Sequence, residues 1–349
     1  MLDACTVRRI TRPLALGMGL LLIAVFTGAQ AAEKSAEPAK DSTYKPAIIY
    51  VSTGEDMGSA FISTARTGIG RAEGEFRTPV TITRMNNMSD APRVIKQVAD
   101  TGATPIILLG NQYVGPVMSV ADRYPNINFT IIDGLAPPLF PNVQSITFKD
   151  HEGAFLVGMI AGKLSDSKMV GFIGGMDVPL IRNFAQGYTQ GVHYTAPNRK
   201  VEVQMIGPTA DAWSNPERAR TLAKDQYNAG VDIIFAAAGA SSLGVLKAAD
   251  EMGKLAIGVD SNQNGVYPGR VLTSMVKRVD VAVYDTLKNS HDGSWSAGIK
   301  SLGIKEGALD YAVDQNNSKF INEKLIEEVA TAKDKIISGK LVVESYTAR

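Results

Sequence analysis

One cysteine, three histidines and two tryptophans are all that the 349 residues carry of those types. The cysteine, Cys5, lies close to the chain start, so the body of the protein has no thiol for a disulfide, a nucleophile or a Cys-ligated metal. His151, His193 and His291 are far apart, and none shows metal-ligand spacing. Gly174-Gly175 is not followed by Gly-Lys-Ser/Thr, which excludes a phosphate loop, and no serine follows a strand in a nucleophile elbow. A catalytic reading has no residue set to rest on, and no cofactor is implied. Charge of either sign is also lacking in excess: 36 basic residues face 35 acidic ones with no block of like charges. A nucleic-acid or acidic-membrane partner is thereby disfavoured, because neither has a charged patch to work with.

Long apolar runs are absent except at the start. Arg8, Arg9 and Arg12 precede an apolar stretch over 14–26, and Ala29-Gln30-Ala31 gives the small-x-small pattern of a signal-peptidase site. The stretch is short of the roughly 20 residues that a spanning helix needs. Residues 1–31 therefore read as a cleaved secretory signal, followed by a solvated tether over 32–45 rich in Ala, Glu, Lys and Ser. With no cysteine at the cleavage site, the expectation is a free periplasmic protein without a lipid anchor.

What is present is a regular alternation. Strand-like runs occupy 47–52, 80–85, 105–109, 128–133, 168–174, 201–206, 232–237, 256–260 and 271–277. Several are apolar throughout, as strands covered on both faces are. Helical patterns lie between them: Ser89 precedes 91–100, and Asn215 precedes 216–229, which Gly230 stops. Gly68 and Gly70, inside another helical pattern, read as close helix packing. The alternation implies an α/β protein with open parallel sheets, over a length too great for one sheet, hence two Rossmann-like lobes. Ligands of such sheets sit outside the carboxyl ends of the strands. The loops after the strands are accordingly the informative ones, and they hold Gly, Asp, Asn, Ser and aromatic residues.

Several motifs together resemble the basic membrane protein family of ABC-importer binding proteins, of purine nucleoside receptor type. They are Phe148-Lys149-Asp150-His151-Glu152-Gly153-Ala154-Phe155, Val170-Gly171-Phe172-Ile173-Gly174-Gly175-Met176, Asn183-Phe184-Ala185-Gln186-Gly187-Tyr188, Ile257-Gly258-Val259-Asp260-Ser261-Asn262-Gln263 and Leu272-Thr273-Ser274-Met275-Val276-Lys277. The resemblance implies a type I periplasmic binding protein fold, closing on ligand about three hinge crossings near 147–149, 273–276 and 307–311. It divides the chain into an N-terminal lobe, 46–147 plus 276–307, and a C-terminal lobe, 148–275 plus 308–349.

The same resemblance implies site residues. Phe61 and Trp213 take the positions of two aromatic residues that clamp a base, and Asp260 and Lys277 those of a ribose-binding carboxylate and ammonium. Base stacking is worth about 1–3 kcal/mol, and a sugar diol suits a carboxylate with a nearby ammonium. The competing readings are a core Phe61, a core Trp213, and an Asp260 that caps the next turn while Lys277 pairs with a lobe-surface acid. Gly239 reads either as close backbone approach to the ligand or as a helix-capping loop. Where the family has Asp-x-Ser-Phe-Asn, this chain has Gly58-Ser59-Ala60-Phe61-Ile62, with Asp56 slightly upstream. A base-reading amide is thereby lost at Ile62, and Asn111 and Asn183 stand as candidate replacements. The expected function is capture of a nucleoside or nucleoside-like heterocycle for an ABC permease by a monomer. The alternatives are a non-nucleoside ligand and a ligand-sensing module for a membrane receptor.

Overall fold

The computed structural model describes residues 44–51 and 59–347. The expected signal 1–31, nearly all of the tether, Asp56 and Gly58 lie outside the described residues. Strands β1 (Ala47–Val51), β2 (Thr81–Met85), β3 (Ile106–Leu109), β4 (Phe129–Ile132), β5 (Val143–Phe148) and β11 (Gly298–Leu302) form one sheet in the order β11-β5-β4-β3-β1-β2, parallel throughout. Strands β6 (Met169–Met176), β7 (Lys200–Gly207), β8 (Ile233–Ala237), β9 (Leu255–Asp260), β10 (Val271–Lys277) and β12 (Leu309–Tyr311) form the second, in the order β12-β10-β9-β8-β6-β7. Only the pairing of β12 with β10 is antiparallel there.

Alternation along each strand feeds two cores. In β1, Ile48 and Tyr50 join one cluster while Ala47 and Ile49 join another. The second cluster is closed by α2 (Ala91–Asp100) through Val94, Ile95 and Val98. The first is closed by α1 (Ala60–Phe76) and α8 (Val279–His291), and continues under α4 (Asp150–Leu164) and α5 (Pro179–Thr195) of the second sheet. The second sheet's other face is covered by α6 (Pro216–Asn228) and α7 (Ser242–Glu251). A short α3 (Val114–Met118) completes the first half, and α9 (Glu323–Ile337) packs on α4. Each large side chain so buried contributes about 1.5–3 kcal/mol.

All nine strand-like runs are strands, and the α/β expectation holds. Asn215 caps α6, its Oδ1 accepting from the Arg218 N–H, and Gly230 follows with φ +101°. At Gly68 a Cβ would fall on the Asp280 carbonyl of α8, so α1 and α8 cross at a glycine. Gly70 faces open space, contrary to expectation, so it contributes no packing.

The chain passes between the sheets three times. It leaves β5 at Lys149 to enter α4, leaves β10 at Arg278 to enter α8, and runs from β11 to β12 over 303–308. The expected crossing over 273–276 is strand interior instead: Val276 still pairs with Asp260 in β9, and Lys277 with Leu309 in β12. The expected 307–311 crossing likewise ends inside β12. Backbone bonds tie the passages together, Lys149 N–H to Leu302 C=O at 2.8 Å and Arg278 N–H to Ala308 C=O at 2.9 Å. Glu152 accepts from the Ile304 N–H at 2.9 Å, adding a side-chain link.

Candidate functional site

The carboxyl edges of the two sheets each end on an aspartate in the left-handed region: Asp133 after β4, with φ +65°, and Asp260 at the end of β9, with φ +67°. Asparagine and aspartate enter this region more readily than other non-glycine residues, because their short polar side chains bond locally. Beside Asp260, β10 ends on Lys277, and α4 begins on Asp150 immediately after the first passage.

These four residues form one buried charge cluster. Lys277 is 1 % exposed, and its Nζ lies 2.7 Å from Asp133 Oδ1 and 3.0 Å from Asp150 Oδ1. The rings of Phe148, Phe184 and Phe61 surround the ammonium, with centroids 4.7, 5.3 and 5.9 Å from Nζ. Such faces attract a cation through the ring quadrupole. Burial works against the charged lysine, yet Asp133, Asp150 and Asp260 outweigh it and hold the ammonium above its ordinary range. Burial pushes the Asp150 carboxyl up to about 8; Lys277 opposes the shift, and Asp133 and Asp260 add to it. Burial likewise pushes Asp260 up to about 6. The dominant effect on both acids is the removal of water, which penalises the charged form.

The cluster opens on a cleft of about 280 Å³. One wall is α1, through Ser63, Thr64 and Thr67; the other is Asp260, Ser261, Asn262, Val276, Lys277, Arg278 and Asp280. Hydroxyls, an amide, carboxylates and cations therefore line a partly open space beside an aromatic box. This is a binding surface for a small polar molecule with an apolar face.

Phe61 is the second residue of α1, half-buried at the margin of the core and next to the Lys277 ammonium. Ser59 caps α1, its Oγ accepting from Ile62 N–H at 3.4 Å, and the Ile62 side chain is buried at 8 % exposure. Trp213 ends a 3₁₀ turn, Ala210–Trp213, and its ring lies where a Cβ on Gly175 would fall. Gly239, at φ +58°, approaches the Trp213 carbonyl and ring, so a Cβ there would sit 3.3 Å from the oxygen. The Gly239–Ser241 turn in turn touches α1. Asn111 opens the turn after β3, and its Cα lies beside Gly134, the neighbour of Asp133.

The Asn183 side chain is engaged within the protein. Its Nδ2 lies 3.1 Å from His151 Nδ1, and its Oδ1 accepts the Tyr346 N–H at 3.0 Å. Burial, with Lys149 nearby, pushes the His151 imidazole down to about 4, so the neutral ring accepts the amide proton. The Asn183 amide is thus bonded within the protein, and Asn183 is not among the residues that line the cleft of Asp260 and Lys277. The residues that sequence reasoning passed over are Asp133 and Asp150. Asp133 ends an apolar strand as Asp260 does, and that parallel was the available signal. Asp150 had no signal beyond its place in a motif, since nothing local announces that a distant lysine meets it.

A family model described as ABC transporter substrate-binding protein PnrA-like matches residues 45–347. The chain is 31% identical over 317 residues to basic membrane protein A1 of Borrelia garinii subsp. bavariensis, covering 86% of this chain and 90% of that protein. It is 29% identical over 350 residues to a Lactococcus lactis subsp. cremoris protein named ABC transporter nucleoside-binding protein BmpA, covering 94% and 97%. In three dimensions it resembles an ABC transporter system solute-binding protein from Aeropyrum pernix K1, with a TM-score of 0.78 at 25% identity over 87% and 94% of the chains. Two Pyrococcus relatives are named lipoproteins, so the expectation of a protein without a lipid anchor draws no support from them. Among the described residues, no helix is long and apolar enough to cross a membrane. The chain belongs to the PnrA-like family of ABC transporter substrate-binding proteins.

Proposed function

We propose that this protein captures a nucleoside, or a nucleoside-like heterocycle carrying a sugar, outside the cytoplasm and delivers it to an ABC permease. It works by binding alone, with no chemical step. The meeting of Phe61, Asp260 and Lys277 at one cleft edge carries this reading. An aromatic face suits the base, and a carboxylate next to an ammonium suits a sugar diol. The Lactococcus relative, named nucleoside-binding, supports the same ligand class. The N-terminal segment would export the chain to the periplasm.

The two sheets with their helices are proposed to be the two lobes, with the hinge at 149, 278 and 303–308. Asp133 then belongs to one lobe and Lys277 to the other, and closure brings them together. Trp213 would stack on the base from the second lobe, held by Gly175 and Gly239. Asn111, beside Gly134, remains a group that could read the base edge.

The test is calorimetric titration of unfolded and refolded protein, free of carried-over ligand, with purine and pyrimidine nucleosides and their free bases. Binding at micromolar affinity or tighter to a nucleoside but not its base is the expected result. A folded sample silent to every nucleoside overturns the ligand assignment. One observation favours a different small molecule as the second reading: Ile62, which stands where the family has a base-reading amide, is a core residue, and the Asn183 amide is bonded within the protein.

A further inference from the structure

Three carboxyls share one ammonium in the buried cluster, and they come from three different places in the fold. Asp133 belongs to the first sheet, Asp260 to the second, and Asp150 to the helix that begins at the passage between them. Lys277 belongs to the second sheet, and α4 packs on its strands β10 and β12. The Lys277–Asp150 contact is therefore internal to one half, and the Lys277–Asp133 contact bridges the halves. Asp150 is 0 % exposed, and its Oδ2 has no hydrogen-bond partner among the described residues. Two carboxylates at 2.7 and 3.0 Å from one ammonium, with Asp260 close by, leave uncompensated negative charge at a buried position. Burial favours resolving such an excess by taking a proton.

We propose that Asp150 is a positioning residue for ligand capture: it holds Lys277 at the cleft while the halves are apart, and it takes up a proton from solvent when Asp133 closes onto the same ammonium. This rests on the closure reading given above. In the open arrangement, Asp150 is the ionised partner that keeps Lys277 charged and aimed. In the closed one, Asp133 takes over the ion pair, and the Asp150 carboxylate becomes a neutral carboxyl. Asp150 is the acceptor rather than Asp260, because Asp260 lines the cleft while Asp150 is fully buried behind Lys277. Its upward shift to about 8 in this closed cluster agrees with the assignment.

The other charged groups around α4 are engaged elsewhere. Lys149 faces Glu152, His151 is clasped by Asn183, Asp310 of β12 pairs with Lys333 of α9, and Glu328 of α9 pairs with Lys163. From α5 the neutral Phe184 faces the ammonium. Beside burial, Lys277, Asp133 and Asp260 act on the Asp150 carboxyl.

The sign follows from proton linkage. A closed form that binds one more proton is favoured at low pH, so affinity falls as pH rises through about 8, by about tenfold per pH unit in the limit of one full proton. The probe is adenosine, titrated calorimetrically from pH 6 to 9.5 in two buffers of different protonation heat. Wild type should take up a fraction of a proton on binding near pH 8. Asp150→Asn has no carboxyl to titrate; whatever its affinity at pH 6.5, it should take up no proton on binding and show a flat profile. Equal pH profiles for the two proteins, or a flat wild type beside a uniformly weakened variant, overturn the proposal.

Should adenosine and every other nucleoside fail to bind, the ligand reading falls, and small-angle scattering of the ligand-free proteins then decides this one. Wild type should expand as pH rises through about 8, and Asp150→Asn should stay compact. A radius indifferent to pH in both, or moving alike in both, overturns it.

Discussion

The two halves are built on one plan and diverge at one strand end. Strand orders β11-β5-β4-β3-β1-β2 and β12-β10-β9-β8-β6-β7 place β4 opposite β9 and β5 opposite β10. Asp133 and Asp260 are then equivalent, and they share the same left-handed backbone. Register carries the equivalence further. Ile132 pairs with Ile146, so one further step sets Asp133 opposite Thr147 as Asp260 stands opposite Val276, and the residues that follow, Phe148 and Lys277, are counterparts. These counterparts touch, the Phe148 ring 4.7 Å from the Lys277 ammonium. The next residues, Lys149 and Arg278, both turn away into passages. A duplicated scaffold thus gives two matched carboxylates, and one asymmetric position decides which half brings the cation.

The largest effect should come from removing that asymmetry. Lys277→Met strips the only cation from three buried carboxyls. Breaking a buried pair by deleting one partner costs about 3–5 kcal/mol, so denaturant unfolding should move by that order and ligand binding should be lost. Lys149→Met is the control one step further along the other half. Its contact with Glu152 is 3.7 Å long and its side chain is 35% exposed, so the change should fall within about 1 kcal/mol. Comparable losses for the two variants would mean that the buried cluster is not the asymmetric element.

The matched aspartates offer a finer break. Asparagine tolerates the left-handed backbone of both sites, so Asp133→Asn and Asp260→Asn remove charge without adding backbone strain. Asp133→Asn should weaken every ligand alike, because it loses the pair that bridges the halves. Asp260→Asn should discriminate, weakening nucleosides more than their 2′,3′-dideoxy analogues, because Asp260 lines the cleft. A calorimetric panel of the two variants against both ligand sets separates the roles. Identical selectivity in both variants would make the aspartates equivalent in function as well as in position.

Legibility in the sequence divides along the same lines. Covered strands announce themselves by unbroken apolar runs, so Ile106 to Leu109 and Ile233 to Ala237 were readable, as was the doubly wound plan they imply. Strand β5 was harder, because Gln144, Ser145 and Thr147 break its run; Gln144 and Thr147 bond to the edge segment around β11, far away in sequence. Lys277 and Asp260 were singled out through the motifs that carry the family resemblance. The partners of Lys277 were not, because Asp133 and Asp150 reach it across two sheets and a passage, and no local spacing encodes that distance. The bonds of Asn183 were illegible for a related reason, since His151 and the chain's C-terminal segment meet its amide from far away in sequence.

Helix pairing gives the smallest contrast. In the second half, α4 and α5 interlock through Gly158, Gly187 and Gly191, each with a facing backbone carbonyl where a Cβ would lie. In the first, α1 and α8 meet through Gly68 alone, although Gly70 sits two residues away on the same helix with open space beside it. Gly68→Ala must push α1 off the Asp280 carbonyl, and should cost more than about 1 kcal/mol while disturbing the Ser63–Thr67 wall of the cleft. Gly70→Ala adds a methyl to an exposed helix interior and should stabilise by about 0.5–1 kcal/mol. Thermal unfolding of the two variants reads the difference directly. A stabilised Gly68→Ala would mean that the α1–α8 crossing has room to spare, and that the first half, unlike the second, does not depend on glycine to bring its helices together.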